Sequence, residues 1–454
     1  MKSLITIYWQ RWISWSQDSI NRRIFAATIT VGGFSLIVKL VAMLKELVTA
    51  YQFGRGDELD AFLMAFLLPS FGINVIAGSF NAALIPTYIQ TREKKGNLVA
   101  QQLLSSVMIW SVVMLVAVSL VLAFIIHIIL PFLASGFSPQ KIALTQTLFF
   151  MLLPVLVISG ITTIWTSVLN AREQFAVGAF VPIIVPLVTT GFLVIFGNAW
   201  GVFSLVYGTL VGFILQCVPL ALALKKQNIG LHLRWYGMTP ELQKVINQYL
   251  PMVAGAFLMS STALVDQAMA AMLDSGSVAA LNYGNKIVSL VVGLGAMAIG
   301  TSVLPHFSRM VTEEDWQNIH HTLRTYTRLI LLTTIPFTIL LFFTSEFIVR
   351  LFFERGAFNY ADTQLVGQVQ AFYVLQLPFY ILGMLLVRLI SSLRKNRILF
   401  WGALINFPVN VVLNLFFIQL LGVAGIALST SIVYLLSCSY LGLMIIYLLK
   451  RQGI

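Results

Sequence analysis

The sequence predicts an all-α integral membrane protein with about twelve transmembrane helices in two pseudo-symmetric lobes of six helices each. Of its 454 residues, 59% are hydrophobic and only 10% are charged, which leaves too little polar surface for a soluble globule of this length. Apolar runs of about 20 residues, the length needed to cross a bilayer, follow one another along the whole chain. Sequence features of the first half recur in the second half.

The segment before the first span predicts a helix that lies at the membrane surface. Residues 1–23 carry Ile5, Tyr8, Trp9 and Trp12 at helical spacing among basic residues, a pattern typical of a helix at the level of the headgroups. The apolar run that follows is longer than the core of a signal peptide, and no small-residue cleavage site comes after it, so we do not expect cleavage.

The spans divide the rest of the chain into two lobes joined by a linker. Residues 24–224 form the first six-helix lobe, residues 225–244 a cytoplasmic linker, and residues 245–454 the second six-helix lobe. The approximate limits of the spans are Ile24–Tyr51, Asp60–Tyr88, Leu103–Leu130, Ile142–Leu169, Ala176–Phe196, Gly201–Leu224, Val245–Leu273, Val278–Pro305, Leu323–Phe343, Thr363–Ile390, Ile398–Leu421 and Val423–Leu449.

Basic residues in the loops predict the orientation. They gather at Arg92–Lys95, Lys225–Lys226, Arg394–Arg397 and Lys450–Arg451, all on the side of the N-terminus. Because cytoplasmic loops are enriched in Lys and Arg, we expect both termini in the cytoplasm. The same distribution explains the net charge of +12 without nucleic-acid binding.

The repeat predicts how the lobes are related. Each half holds six spans, an even number, so the halves share one orientation and are related by an axis along the membrane normal. This arrangement is typical of alternating-access carriers with a substrate site between two lobes. The matching positions, about 220 residues apart, are Pro86 and Pro305, Pro186 and Pro408, Gly201 and Gly422, and Cys217 and Cys438.

Ionisable residues inside the spans indicate a cavity. Such a residue costs about 2.5–3.5 kcal/mol at the centre of a bilayer, so it usually faces a bundle interior or water. We predict a substrate-binding cavity lined from both lobes, with Glu46 and Asp266 as possible sites of ion or proton coupling. The predicted substrate-binding residues are Lys39, Lys45, Asp60 and Lys286.

Several of these residues have alternative interpretations. Lys39 and Glu46 are about two helical turns apart and could neutralise each other. Asp60 could cap the second span, where a carboxylate complements the helix dipole. Asp266 is a proton site, a cation site or the counter-charge of a lysine.

The remaining polar residues suggest structure rather than chemistry. The stripe Asn406, Asn410 and Asn414 is typical of contacts between helices. Cys217 and Cys438 lie in apolar runs and are interpreted as small buried hydrophobic residues. We expect no metal and no cofactor.

Motifs near the start of each lobe resemble one known family. In the first lobe they are Lys45-Glu46, Phe53-Gly54-x-Gly56, Asp60-Ala61-Phe62, Ala65-Phe66, Pro69, Gly78-x-Phe80 and Ile85-Pro86. In the second lobe they are Ser275-Gly276-Ser277-Val278 with Tyr283 and Lys286, and Glu354-Arg355-Gly356-Ala357-Phe358. Together they resemble the MurJ/MviN family of lipid II flippases, in the multidrug/oligosaccharidyl-lipid/polysaccharide (MOP) exporter superfamily, over nearly the whole chain.

The resemblance implies a V-shaped, MATE-like bundle whose cationic cavity takes the diphosphate and sugar of an undecaprenyl-linked precursor. The cavity aspartate of the family falls on Asp60, and a glutamate of the family is replaced by Gly78. Its cavity arginines fall on Lys39, Lys45, Ile73 and Lys286. Three of these positions keep a charge without the planar fork of arginine. Members usually continue for two further helices, which we do not expect in a chain that ends at Ile454.

The expected function is therefore transport rather than catalysis. The chain would flip lipid II or a related lipid-linked oligosaccharide across the bacterial cytoplasmic membrane, for peptidoglycan or cell-surface polysaccharide synthesis. A monovalent cation or the membrane potential would drive it, and membrane lipids would be its other partners.

Two alternatives remain. A MATE-like drug or cation antiporter would be expected to have acids dominating the cavity of its first lobe, whereas lysines occur here. A membrane glycosyltransferase would need catalytic carboxylates or a histidine on a large outer loop, and none of the outer loops is large.

Overall fold

The computed structural model describes residues 20–230 and 233–450, and these are almost entirely helical. The predicted surface helix over residues 1–23 lies outside the described residues, apart from its last four, which begin the first long helix. The helices are α1 Ile20–Phe53, α2 Asp57–Gly72, α3 Gly78–Leu133, α4 Pro139–Ala171, α5 Phe175–Phe180, α6 Ile184–Trp200, α7 Phe203–Lys226, α8 Pro240–Ala270, α9 Ser277–Thr312, α10 Trp316–Phe353, α11 Tyr360–Val374, α12 Leu377–Ser392, α13 Arg397–Leu421 and α14 Val423–Lys450.

The lengths of these helices agree with about twelve membrane crossings. Within the described residues, ten helical stretches are long and apolar enough to cross a membrane. One of them, Asp57–Leu133, contains two crossings because its backbone breaks at Gly96, where φ is 87°. Helix α1, with 34 residues, adds one more. The prediction of an all-helical membrane protein is confirmed.

Local sequence explains where several helices begin and bend. Helix α4 begins behind Ser138, whose side chain accepts a hydrogen bond from the backbone N–H of Lys141, and Pro139 occupies its first turn, as expected for an N-terminus. A five-residue π-helical turn, Ile73–Ala77, joins α2 to α3. Such turns release backbone carbonyls from the helical pattern and bend the helix.

The repeat is visible in the backbone. Gly201 precedes α7 with φ 52° and ψ −135°, and Gly422 precedes α14 with φ 56° and ψ −136°. Residues with a side chain rarely adopt this conformation, so glycine is needed at both turns. The two lobes therefore use the same turn at equivalent positions.

The buried clusters show that the two lobes are joined at one end of the molecule and separate at the other. One large core combines residues of both lobes, including Leu59, Phe62, Tyr283 and Phe353. Towards the opposite end each lobe has its own core, one around Leu104 and the other around Leu389, and these two cores have no helix in common. We call the joined end, with residues 51–60, 271–280 and 354–362, the closed end, and the opposite end the open end.

Helix α8 belongs to both lobes. Near its beginning, Tyr249 stacks on Phe80 of α3 with ring centroids 4.4 Å apart, and its hydroxyl donates a hydrogen bond of 3.0 Å to the carbonyl of Ile76. That carbonyl lies in the π-helical turn. The later part of α8 packs against α13 and α14. Tyr249, which the sequence assigned to the second lobe, thus packs on the first.

Candidate functional site

Two lysines from different lobes bind the same carboxylate oxygen. Glu46 of α1 is buried, with 8% of its side chain exposed, and its Oε1 lies 3.0 Å from Nζ of the adjacent Lys45 and 2.9 Å from Nζ of Lys286 on α9. The lysine side chains are 23% and 32% exposed, so each keeps part of its surface free for another ligand. The pair Glu46–Lys286 is therefore an ion pair between the lobes. The structure brings together two of the three predicted lysines.

Lys39 also contacts the second lobe, but at a different height along α9 from the Glu46–Lys286 pair. It lies on α1 two turns before Glu46, is half-buried, and its side chain packs against Gly293 of α9. Within the described part of the chain it forms no ion pair. The pairing of Lys39 with Glu46 that the helical spacing allowed is not formed here; Glu46 pairs with Lys45 and Lys286. Three lysines and one carboxylate leave this region with a net charge of +2.

Asp60 was predicted to line the cavity, but the structure places it in the closed end. Only 1% of its surface is exposed. Its Oδ2 accepts hydrogen bonds from Nζ of Lys141 at 2.8 Å and from the backbone N–H of Gly276 at 2.7 Å, and its Oδ1 accepts one from the N–H of Ala279 at 2.8 Å. Asp60 thus caps α9 of the other lobe, and not the helix in which it lies.

Further polar contacts hold the closed end together. Asp57 accepts hydrogen bonds of 2.6 Å from both Lys141 and the hydroxyl of Ser275. Arg55 is paired with Asp362 at 3.1 Å and also donates to the carbonyl of Ser275 at 3.4 Å. Arg55 and Ser275 are 220 residues apart and so occupy equivalent turns of the repeat. The two turns are in contact at the closed end.

Sequence reasoning did not identify Lys141, Arg55, Asp57 and Asp362 as functional residues. A signal was present: Arg55 and Lys141 are two of the few basic residues in loops that otherwise contain little charge. Their partners could not be read from spacing, because Lys141 is 81 residues from Asp60 and Arg55 is 307 residues from Asp362.

Asp266 occupies a separate polar pocket inside the second lobe. It is 5% exposed and accepts hydrogen bonds from the amide groups of Asn410 and Asn414, at 3.1 and 2.7 Å, and from the hydroxyl of Thr430 at 3.0 Å. No cation pairs with it among the described residues, so it is not the counter-charge of a lysine there. A cavity of about 160 Å³ adjoins it, and Asn282 and Asn285 of α9 are part of the lining. Helix α9 therefore contributes to both charged centres.

Sequence comparisons with known proteins find one family. The family model described as "Lipid II flippase MurJ" matches residues 49–454. The probable lipid II flippase MurJ of Rhizobium tropici is 27% identical over 417 residues, which are 89% of this chain and 77% of that protein. The lipid II flippase MurJ of Burkholderia cenocepacia is 25% identical over 427 residues, which are 90% and 81% of the two chains.

Solved structures give a similar result. "Lipid II flippase MurJ, inward closed conformation" matches with a TM-score of 0.81 and 25% identity, covering 92% of this chain and 87% of that one. An inward-facing MATE multidrug resistance transporter of the MOP superfamily matches with a TM-score of 0.74 at 13% identity, covering 94% of this chain and all of that one. The second similarity concerns the fold alone.

Proposed function

The chain belongs to the lipid II flippase MurJ family, and we infer from this membership that it flips a lipid-linked precursor across the membrane. The family consists of transporters and not of catalytic enzymes. We further propose that the substrate is an undecaprenyl-diphosphate-linked glycan, either lipid II or a related lipid-linked oligosaccharide. Its product would serve peptidoglycan or cell-surface polysaccharide synthesis.

The cross-lobe cluster of Lys45, Glu46 and Lys286 carries this proposal. A diphosphate diester bears one negative charge on each phosphate. The net charge of +2 of the region that contains the three lysines and Glu46 attracts such an anion, and Lys45 and Lys286 are close enough together to bind it at one place. A lysine holds phosphate as a point charge, so charge matters more here than the geometry of a fork. Glu46 meanwhile keeps Lys45 and Lys286 close together although both are cationic.

Substrate binding would change the contact between the lobes. A diphosphate that approaches Lys45 and Lys286 competes with Glu46 for the same ammonium groups, and so weakens the Glu46–Lys286 ion pair. The diphosphate takes the place of Glu46 as the negative partner of the two half-buried lysines. The lobes can then separate at the closed end while the headgroup stays bound.

The closed end faces the outside of the cytoplasmic membrane in this proposal. The basic loops lie towards the open end. The positive-inside rule assigns these loops and both chain termini to the cytoplasm. The conformation described here is then closed outwards, and substrate enters from the cytoplasmic leaflet. Asp60 serves as a latch of the closed end and not as a direct ligand of the headgroup.

We propose Asp266 as the coupling site for a monovalent cation or a proton. It is a buried carboxylate of the second lobe without a cationic partner among the described residues, and its partners Asn410, Asn414 and Thr430 are neutral. Binding of a positive charge would remove the cost of the unpaired carboxylate. Because Asn282 and Asn285 line the adjoining cavity on the same helix as Lys286, a change in this pocket would be transmitted along α9 to the lysines.

Lysine variants test the substrate site. Lys45→Ala and Lys286→Ala should abolish complementation of a strain depleted of the protein, and Lys→Arg should be tolerated better than Lys→Gln because Gln removes the charge. Lys225→Ala, at an exposed position at the end of α7, is the matched control. Full flipping by both alanine variants in vesicles would contradict the cationic site. The lipid-linked intermediate that accumulates on depletion identifies the glycan.

A further inference from the structure

We propose that Gly293 is a positioning residue: because it has no side chain, it leaves room on α9 for the end of Lys39, which comes from α1. The ammonium groups of Lys39 and Lys286 then offer the headgroup two cationic positions along the same face of α9. This inference rests on the proposed function, because it assigns a role to Lys39 in binding the same substrate. It adds a residue without charge or polar side chain to the substrate site.

The first observation is the contact between Lys39 and Gly293. A Cβ atom added to Gly293 would lie 2.9 Å from Cε and 3.7 Å from Cδ of Lys39, and closer to Nζ than any non-bonded contact allows. The lysine therefore occupies the space that a side chain would fill. Gly293 lies in the interior of α9, where glycine is less favourable than alanine. Its backbone does not have positive φ, so conformation does not require glycine there.

The second observation is the spacing along α9. Gly293 follows Lys286 by seven residues, which returns to the same face of a helix within about 20° and about 10.5 Å further along the axis. Helix α9 runs from the closed end towards the open end, and Lys39 precedes Glu46 on α1, which runs the opposite way. Lys39 is thus nearer the open end than the pair Lys45 and Lys286.

The distance along α9 between Gly293 and Lys286 gives one headgroup two separate binding positions, one at Lys39 and one at Lys45 and Lys286. About 10.5 Å along α9 is too far for a single diphosphate to bind both positions closely. Lys39 meets a headgroup that enters from the open end first, and its charge is available because it forms no ion pair within the described residues. Transfer to Lys45 and Lys286 then requires displacement of Glu46. The headgroup moves along one face of α9 in this scheme.

Gly293→Ala tests the inference. The obstacle to a new Cβ is the flexible end of a lysine, so the ammonium group moves while the helices stay in place, and we expect normal accumulation in the membrane. Purified variants are titrated with inorganic pyrophosphate by calorimetry. Both Gly293→Ala and Lys39→Ala should bind pyrophosphate about tenfold more weakly than the parent protein. This loss is at the lower end of the range expected when a hydrogen bond to a charged group is removed. The double variant should bind no more weakly than Lys39→Ala.

Gly255→Ala is the matched control. Gly255 is also a helical glycine of the second lobe, and an added Cβ there meets nothing within 4 Å, so the change in helix propensity is the same. It should bind pyrophosphate and flip like the parent protein. The same four variants are compared for flipping in vesicles, where the order of activities should follow the order of affinities.

The outcomes separate this inference from the proposed function. Normal pyrophosphate binding by Gly293→Ala, beside impaired binding by Lys39→Ala, would overturn the inference alone, as would additive losses in the double variant. Normal binding and flipping by Lys39→Ala would overturn both the inference and the role of Lys39 in the proposed function. If Gly293→Ala does not accumulate, rescue by Lys39→Ala supports the contact, and no rescue overturns it.

Discussion

Removal of the Asp60 carboxylate should open the closed end. Asp60 lies on α2 of the first lobe, and two of its three hydrogen bonds come from backbone N–H groups of Gly276 and Ala279 at the start of α9 in the second lobe. Asp60→Ala deletes both contacts between the lobes. The third partner, Lys141, keeps Asp57 as a counter-ion, so no buried cation is left unpaired.

The size of the effect follows from the number of bonds lost. A hydrogen bond to a charged group contributes about 1.5–3 kcal/mol, so the two bonds to α9 favour the closed end by about 3–6 kcal/mol. Asp60 is 1% exposed, so solvent screening does not reduce this figure appreciably. Since about 1.4 kcal/mol is a factor of ten in an equilibrium constant, even the lower value shifts the population towards an open outer side about 100-fold. Asp60→Asn keeps an acceptor but loses the charge, and should give a smaller shift.

Accessibility of a buried cysteine measures this shift. Ser277 is 3% exposed in the closed end, so a cysteine placed there, in a background without Cys217 and Cys438, should react slowly with an impermeant thiol reagent added to intact cells. Asp60→Ala should raise the labelling rate strongly. Glu58→Ala, in the same turn of α2 but exposed, should not. Equal labelling with and without Asp60, at equal amounts of inserted protein, would refute the latch.

Three further results are expected. Glu46→Gln should lower the thermal stability of the purified protein, because Lys45 and Lys286 lose their shared counter-charge. Pyrophosphate should raise the melting temperature of this variant more than that of the parent protein. An equal rise in both proteins would contradict competition between Glu46 and pyrophosphate for the lysines. Asp266→Asn should make flipping in vesicles independent of sodium and proton gradients, and persistent dependence would exclude it as the coupling site. Cysteines at Asn359 and Asn396 should be labelled from outside and inside the cell respectively; labelling of the second from outside would reverse the topology.

The sequence predicted much of the candidate site because charge inside a membrane is conspicuous. Lys45, Lys286, Glu46 and Asp266 stand out in apolar runs, and the cost of burying such groups limits where they can lie. The partners were harder to predict. Helical spacing suggested Lys39 as the partner of Glu46, because periodicity shows only neighbours within one helix. In the structure Glu46 pairs with the adjacent Lys45 and with Lys286 of the other lobe.

The sequence by itself determined that the chain is a membrane protein of about twelve helical spans. The reason is that the thickness of the bilayer sets the length of a span, and lipid leaves each span no way to satisfy its backbone except as a helix. The tertiary structure alone decided that Asp60 caps α9, that Glu46 joins Lys45 to Lys286, and that Lys39 lies on Gly293. Each of these contacts joins the two lobes. Their existence depends on how the lobes are placed against each other, which no pattern along a single helix contains.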